Sequence, residues 1–218
     1  GGVDTRRITR ILRESGAQNA VLAYITDGRL DLEELQARAR ACPSLEGMDL
    51  AAEVSCRQRY EWRETRWAWG HGYGLGEDDG PHVVAIDYGI KRNILRSLAS
   101  VGCRVTVVPA SSTAEEVLAL APDGVLLANG PGDPAATGVY AVPEIKKLVD
   151  SGKPIFGICL GHQMLGLALG GRTQKMPFGH HGANHPVKDL TTGIVEITSQ
   201  NHGFAVADED LPTEIEVT

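Results

Sequence analysis

Four short apolar segments alternate with stretches of helical periodicity after residue 81, and this alternation constrains the fold more than any other feature of the sequence. An apolar run of four to six residues bounded by turn residues is typical of a strand buried on both faces of a sheet. Strands that alternate with helices predict an α/β fold, in which a mostly parallel sheet carries helices on both faces. The predicted strands are 82–87, 104–109, 124–129 and 154–159, and the predicted helices are 91–102, 113–120 (with a Thr113 and Glu116 capping box), 139–152 and 161–171.

The first 69 residues lack this alternation, and they predict the end of a smaller amino-terminal domain. Apolar residues at helical spacing lie between a capping residue, Asp4 or Thr5, and a stop at Gly16, so one helix is expected there. Residues 31–41 predict a second helix, which ends before Pro43. Few strands are expected in this part of the chain.

Residues 70–81, GHGYGLGEDDGP, are interpreted as a linker between the two parts. Their glycines do not have the GxGxxG spacing of a dinucleotide-binding turn. The predicted domains are therefore 1–69, the end of the amino-terminal domain, and 82–218, the α/β domain. Because the chain starts with Gly1 and stops at EIEVT, which alternates like a strand, we expect a fragment that lacks both ends of its parent.

Composition excludes several classes of function. The formal charge is −7 with acidic and basic residues interspersed, so no basic stripe indicates a nucleic-acid partner. No apolar run approaches the roughly 20 residues that cross a bilayer, and no membrane association is expected. The four cysteines have no CxxC pair, which argues against a zinc site or a disulfide framework and predicts a cytoplasmic location.

Two predicted strands run directly into glycine-rich turns, at the edge where such sheets bind ligands. The glycines of GPGDP (130–134) let backbone N–H groups approach a ligand, although a plain tight turn has the same composition. Cys159 lies two residues from both Gly157 and Gly161, the spacing of a strand-to-helix elbow that exposes a nucleophile. A helix N-terminus there would lower the pKa of the thiol, whereas the alternative is a core cysteine in a buried turn.

Five stretches together resemble the class I glutamine amidotransferases, a flavodoxin-like α/β family. GPGDP, GICLGHQ (157–163) and NHGF (201–204) occur here in the family's order. FGHHGANHPVKD (178–189) and DYGIKRNILRSL (87–98) resemble more narrowly the small, glutamine-hydrolysing chains of carbamoyl phosphate synthetases. The leading DTRRITRILRESGAQNA resembles the end of the amino-terminal domain of those chains, so the resemblance covers nearly all of the sequence.

The resemblance implies a chemistry for this chain. Cys159 would attack the side-chain amide of L-glutamine, release ammonia and leave a glutamyl thioester that water hydrolyses. The backbone N–H groups of Leu160 and Gly132 would form the oxyanion hole. The residues implied for glutamine binding are Gly130, Gly132, Leu160, Gln163, Asn201, Gly203 and Phe204.

The resemblance also implies a partner, the large chain of carbamoyl phosphate synthetase. That chain would receive ammonia through a tunnel and use it with bicarbonate and ATP for arginine and pyrimidine synthesis. We therefore expect no cofactor or metal in this chain, and ATP and Mg²⁺ on the large chain; no Walker A motif occurs here. One alternative is an amidotransferase of another synthetase, such as those for anthranilate or GMP. The stretches NHGF and FGHHGANHPV argue against this alternative. A flavodoxin-like binding or regulatory module, with a structural or redox-active cysteine, is the other.

The family's catalytic base is a histidine in a His-Pro-Glu motif downstream of the cysteine, and this sequence contains no such motif. NHPV has Val187 where the glutamate would stand. The resemblance thus implies that the base, and a serine from the amino-terminal domain, lie outside these residues. His162 and His202 are the alternative bases. We expect these 218 residues alone to hydrolyse glutamine slowly or not at all.

Two further clusters have a structural and a functional interpretation. His180, His181 and His185 have no cysteine near them in the sequence, so we expect a polar loop that supports the active site or a partner interface rather than a metal site. The aromatic run YEWRETRWAWGHGY (60–73) predicts either a docking surface or packing at the join between the two domains.

Overall fold

Buried runs rich in valine, isoleucine and leucine form the centre of the protein. The computed structural model describes residues 2–26, 28–209 and 211–218. In chain order its elements are α1 (Thr5–Ser15), α2 (Leu32–Ala41), α3 (Ala51–Val54), β1 (Tyr60–Trp62), β2 (Glu64–Ala68), β3 (Gly72–Leu75), β4 (His82–Asp87), α4 (Arg92–Ser100), β5 (Arg104–Pro109), α5 (Ala114–Leu118), β6 (Gly124–Leu127), α6 (Pro134–Asp150), β7 (Ile155–Gly157), α7 (Leu160–Ala168), β8 (Arg172–Lys188) and β9 (Val195–Ala207).

The central sheet has five strands in the order β1, β5, β4, β6, β7. β5, β4, β6 and β7 are parallel, and β1 pairs antiparallel with β5 at one edge. β5 and β6 lie on opposite sides of β4. The helical connection that leaves β4 and the one that leaves β6 therefore run in opposite directions across the sheet, which opens a crevice at the carboxyl ends of these two strands. The predicted mostly parallel sheet is confirmed, and the general rule for open α/β sheets predicts a ligand site at this crevice.

Two apolar layers pack on the two faces of the sheet. On one face α5, α6 and α7 bury side chains such as Ile145 and Met164 against β4 and β6. On the other face α4 packs Leu95 against Val105 and Val107. Fully burying such side chains contributes about 1.5–3 kcal/mol each, so the layers hold the strand ends rigidly in place. Helices on both faces confirm the predicted α/β architecture.

The strands and helices of this part agree with the sequence pattern, with one informative difference. β4 and β5 have the predicted bounds, and α5 carries the predicted capping box between Thr113 and Glu116. α6 begins at Pro134, five residues before the predicted start at 139, because Asp133 caps it by accepting from the Ala135 N–H. GPGDP is therefore both a loop and the start of a helix.

The amino-terminal region contains more strands than the sequence indicated. α1 and α2 form as predicted, with Asp4 as the cap of α1, but no side chain of α1 is buried. β2 and β3 pair as an antiparallel hairpin, and β3 lies inside the predicted linker 70–81. The division at residues 69 and 82 stays a prediction. The alternating segment at 214–218 is not a strand.

The largest departure from the sequence prediction is the long hairpin of β8 and β9. His180, His181 and His185 were expected to lie in a polar loop, but all three belong to β8, which pairs antiparallel with β9. The register places His181 opposite Asn201 and His180 opposite His202, with irregularities on either side of these pairs. The polar composition reflects an exposed two-stranded ribbon. Among the described residues, no helix is both long and apolar enough to span a membrane.

Candidate active site

Cys159 lies in a sharp turn between β7 and α7. Its backbone has φ 52° and ψ −108°, a conformation that costs a non-glycine residue on the order of 1–3 kcal/mol. A Cβ on Gly157 would lie 2.6 Å from the His162 nitrogen, and one on Gly161 would overlap the Leu127 carbonyl oxygen. The two glycines therefore let α7 start directly against β6. The thiol is half-buried and lines a cavity, so the turn is an elbow rather than a core position for the cysteine.

A cavity of about 870 Å³ opens at the carboxyl edge of the sheet, between the elbow, the turns after β4 and β6, and β9. Its wall brings together the nucleophile and most of the residues implied for glutamine binding. These are Cys159, Gly130, Gly132, Gln163, Asn201, Gly203 and Phe204. Leu160, also implied for glutamine binding, is not among the residues that line the cavity, because its side chain is buried in the core.

The loop 130–132 is held by a segment from the amino-terminal region. The Asp133 N–H donates to the Met48 carbonyl at 2.9 Å, and the Asp133 carboxylate accepts from the Gly47 N–H at 2.8 Å. Gly132 has φ +97°, and a Cβ there would lie 2.6 Å from the Met48 oxygen. The loop is thus clamped between α6 and residues 47–50, which fixes its backbone beside Cys159.

Opposing effects act on the Cys159 thiol. Burial raises its pKa, and it outweighs the Leu160 N–H and the positive charge of Lys91, both of which lower the pKa. The sequence predicted a lowered pKa from the helix N-terminus; that prediction is wrong for the net effect, since desolvation disfavours the thiolate. The thiol donates to the Asn201 carbonyl, with sulfur and oxygen 3.8 Å apart.

β9 forms the wall of the cavity that faces α7. The buried Gln163 amide donates from Nε2 to the Phe204 carbonyl at 2.7 Å, which joins α7 to β9. The same carbonyl is 2.8 Å from Nδ1 of His202. These bonds hold β9 beside the elbow, so that Asn201 and Phe204 line the same cavity as Cys159.

Three histidines, His162, His181 and His202, line the cavity, but none of them is hydrogen-bonded to the Cys159 sulfur in the described part of the chain. His202 uses both ring nitrogens elsewhere, Nδ1 toward Phe204 and Nε2 toward Nδ1 of His180 at 3.1 Å. Burial and the charge of His202 lower the pKa of His162. His202 is therefore poorly placed to accept a proton from Cys159.

The structure also bears on the two other clusters considered from the sequence, the histidines of β8 and the aromatic run 60–73. In residues 2–26, 28–209 and 211–218, no three His, Cys, Asp or Glu side chains converge as a metal site. Trp62 packs against the core under α4, which fits the packing interpretation, whereas Trp69 is 87% exposed and contacts Trp67 edge to face at 5.6 Å. The docking interpretation of the aromatic run stays a prediction.

Sequence reasoning assigned no site role to several residues that line the cavity. Lys91 and Asn129 follow the carboxyl ends of β4 and β6, so the rule that located Cys159 would also have found them. The Asn129 side chain accepts from the Lys91 N–H at 3.0 Å and ties the two turns together. Leu45 reaches the cavity from the amino-terminal region, and no sequence pattern indicated it.

The family model for glutamine amidotransferase class-I matches residues 84–218. This chain belongs to that family. The match covers the sheet strands β5, β6 and β7, the elbow and both strands of the β8–β9 hairpin, which confirms the fold class predicted from the five stretches. The cavity residues described above all lie within it, with the exception of Leu45.

Curated relatives give a narrower resemblance, which agrees with the one predicted. A protein of Ruegeria pomeroyi named carbamoyl phosphate synthase small chain is 65% identical over 213 residues, covering 97% of this chain and 55% of the relative. A Caulobacter vibrioides protein of the same name is 61% identical over 217 residues, covering 100% and 56%. The chain spans about half the length of these relatives. A solved glutamine amidotransferase from Thermotoga maritima is 19% identical with a TM-score of 0.43, over 61% of this chain and 64% of that one.

Proposed function

We propose that this chain is the glutamine-hydrolysing part of a carbamoyl phosphate synthetase small subunit, which supplies ammonia to a large synthetase chain. The observation that carries the proposal is the strained elbow, which puts the Cys159 thiol into a cavity walled by the Gly130 to Gly132 loop and β9. Relatives at 60–65% identity that are named as such small chains support this choice over other synthetases.

In the proposed reaction the Cys159 thiolate attacks the amide carbon of glutamine. The Lys91 charge and the Leu160 N–H favour the thiolate, against the desolvation that opposes it. The tetrahedral intermediate expels ammonia after its nitrogen gains a proton, and a glutamyl thioester remains. Water then attacks the thioester, releasing glutamate and restoring the thiol.

The negative oxygen of each tetrahedral intermediate needs preorganised donors. Leu160 and Gly132 are proposed to supply backbone N–H groups, because the helix start and the clamped loop flank Cys159 on two sides. One such donor is worth roughly 3–4 kcal/mol in acyl-transfer enzymes. Main-chain and amide groups of Gln163, Asn201, Gly203 and Phe204 are proposed to hold the amino acid.

A base is required for the proton transfers, and we assign it to the His-Pro-Glu histidine that the family resemblance implies. The engaged ring nitrogens of His202 support this assignment over a local substitute. General acid–base groups contribute typically 10²- to 10⁴-fold, so we expect residues 1–218 alone to be slower than the full-length gene product by at least about 100-fold.

The wider assignments are proposals of the same kind. The partner is the large chain, which would hold ATP and Mg²⁺ and consume the ammonia for arginine and pyrimidine synthesis. The four free cysteines fit a reducing, cytoplasmic location.

The test is glutamine-dependent ammonia release by the full-length gene product, followed as glutamate formation, with and without the large chain. Cys159→Ser is expected to abolish hydrolysis and to prevent labelling by a glutamine-analogue electrophile. Cys42→Ser, at an exposed cysteine, is the matched control and is expected to keep both. Hydrolysis by the Cys159→Ser variant would overturn the catalytic assignment. Purification with an unrelated synthetase chain would overturn the partner assignment.

A further inference from the structure

His181 contacts a glutamine-binding residue directly, although sequence reasoning placed it in a supporting loop. It lies opposite Asn201 in the register of β8 and β9, and its ring lines the same cavity as Cys159. Its Nδ1 is 2.9 Å from Oδ1 of Asn201. The pair therefore connects the exposed ribbon to the wall of the proposed glutamine site.

The chemistry of this pair fixes the orientation of the Asn201 amide. A carboxamide oxygen only accepts hydrogen bonds, so the imidazole must carry its proton on Nδ1 and donate it. The amide nitrogen, Nδ2, is then the end of Asn201 that is available to a ligand. The two ends of a carboxamide have nearly the same shape, and without His181 the amide is free to turn and present its oxygen instead.

The backbone leaves room for the imidazole in this orientation. Gly179 has φ +67°, and a Cβ there would lie 2.7 Å from Nε2 of His181. Asn201 also contacts the nucleophile, since its carbonyl accepts from the Cys159 thiol. Asn201 thus contacts the sulfur through its carbonyl and lines the cavity, and its side chain is held by His181.

We propose that His181 is a positioning residue, which holds the Asn201 amide with its N–H₂ group toward the carboxylate or carbonyl of the bound amino acid. The inference rests on the proposed function, because it assumes that Asn201 binds glutamine. A turned amide would place an oxygen against the ligand oxygen, so the loss of His181 weakens glutamine binding and leaves the nucleophile and oxyanion donors intact.

The experiment measures the KM for glutamine and kcat in the full-length gene product with its large chain. His181→Ala is expected to raise KM about tenfold, as for one hydrogen bond to a charged group, with kcat within twofold. His181→Gln, whose amide can donate to the same oxygen, is expected to restore KM to within threefold. His185→Ala removes a neighbouring histidine of β8 that does not contact Asn201, and it is expected to leave both constants unchanged.

A double-mutant cycle separates positioning from a general structural effect. Once Asn201→Ala has removed the amide, adding His181→Ala is expected to change KM by less than twofold. The proposal would be overturned if the two substitutions raised KM independently, so that their effects multiplied in the double mutant. An unchanged KM in His181→Ala would also overturn it. If His181→Ala loses the circular dichroism spectrum of the folded protein, the test rests on His181→Gln. A folded His181→Gln variant with a tenfold higher KM would contradict the positioning role.

Calorimetric titration of L-glutamine into the Cys159→Ser variant keeps this inference separate from the proposed function. A wild-type full-length gene product that, together with its large chain, does not hydrolyse glutamine would refute the function. The positioning role still predicts weaker glutamine binding when His181→Ala is added to Cys159→Ser, and equal affinities would refute that role.

Discussion

Replacing Gly157 by alanine tests whether the elbow geometry determines the activity. The new Cβ would lie 2.6 Å from the His162 nitrogen and 2.7 Å from the His162 Cα. Both are backbone atoms, and ordinary contacts begin at 3.4 Å, so the first turn of α7 must move by about 0.8 Å. Overpacking of this kind typically costs about 1–3 kcal/mol of stability.

The expected effect on hydrolysis is larger than the effect on folding. A shift of about 1 Å in a reacting group costs on the order of 100-fold in rate, and the movement carries both the Cys159 sulfur and the Leu160 N–H. We therefore expect kcat for glutamine to fall about 100-fold in the full-length gene product at a temperature where the variant stays folded. Glutamate formation measures the rate, and urea unfolding measures the stability.

Gly124→Ala is the matched control for this experiment. Its Cβ would lie 3.5 Å from the Pro154 oxygen, an ordinary contact, and Gly124 lies at the start of β6, at the opposite end of the strand from the cavity. Activity of this variant should stay within twofold of wild type. A folded Gly157→Ala variant with kcat within twofold of wild type would refute the claim that the elbow positions the nucleophile.

Three further predictions follow from individual contacts. Thr113→Ala removes the capping box of α5 and should lower the free energy of unfolding by about 1 kcal/mol in urea titrations; an unchanged midpoint would contradict the cap. Burial and Asp87 raise the pKa of Cys56 to about 11, so its folded form keeps a proton that the unfolded form loses first. Stability should fall as pH rises from about 9 to about 11, and Cys56→Ala should remove that part of the fall. Lys91→Gln should shift the pH profile of iodoacetamide labelling at Cys159 to higher pH, because the Lys91 charge lowers the pKa of that thiol; an identical profile would exclude this electrostatic role.

The parallel sheet was predictable because its strands are buried on both faces. β4 and β5 read as continuous apolar runs, and burial leaves few other structures open to such segments. The β8–β9 ribbon was not predictable in the same way. Its residues are mostly exposed, so no apolar alternation marks the strands, and only cross-strand pairing such as that of His181 with Asn201 defines them.

The same contrast holds for the candidate site. Cys159 and the loop 130–132 were predictable, since glycines at fixed spacing beside a strand end have a local steric reason. The contact of Met48 and Gly47 with the Asp133 turn joins residues more than 80 positions apart, and no local pattern indicates it. The net pKa shift of Cys159 also depends on burial by distant segments, which the helix N-terminus alone does not reveal.

By itself the sequence determined the strand and helix order, the carboxyl edge as the place of a site, and the cysteine at the elbow. These depend on short-range sterics and on the periodicity of apolar residues, which are properties of neighbours in the chain. Only the tertiary structure decided how the cavity is walled, which histidines have their ring nitrogens engaged, and that desolvation outweighs the charges beside the thiol. Those outcomes depend on which remote groups exclude water or reach hydrogen-bonding distance, and that is settled only when the strands have packed.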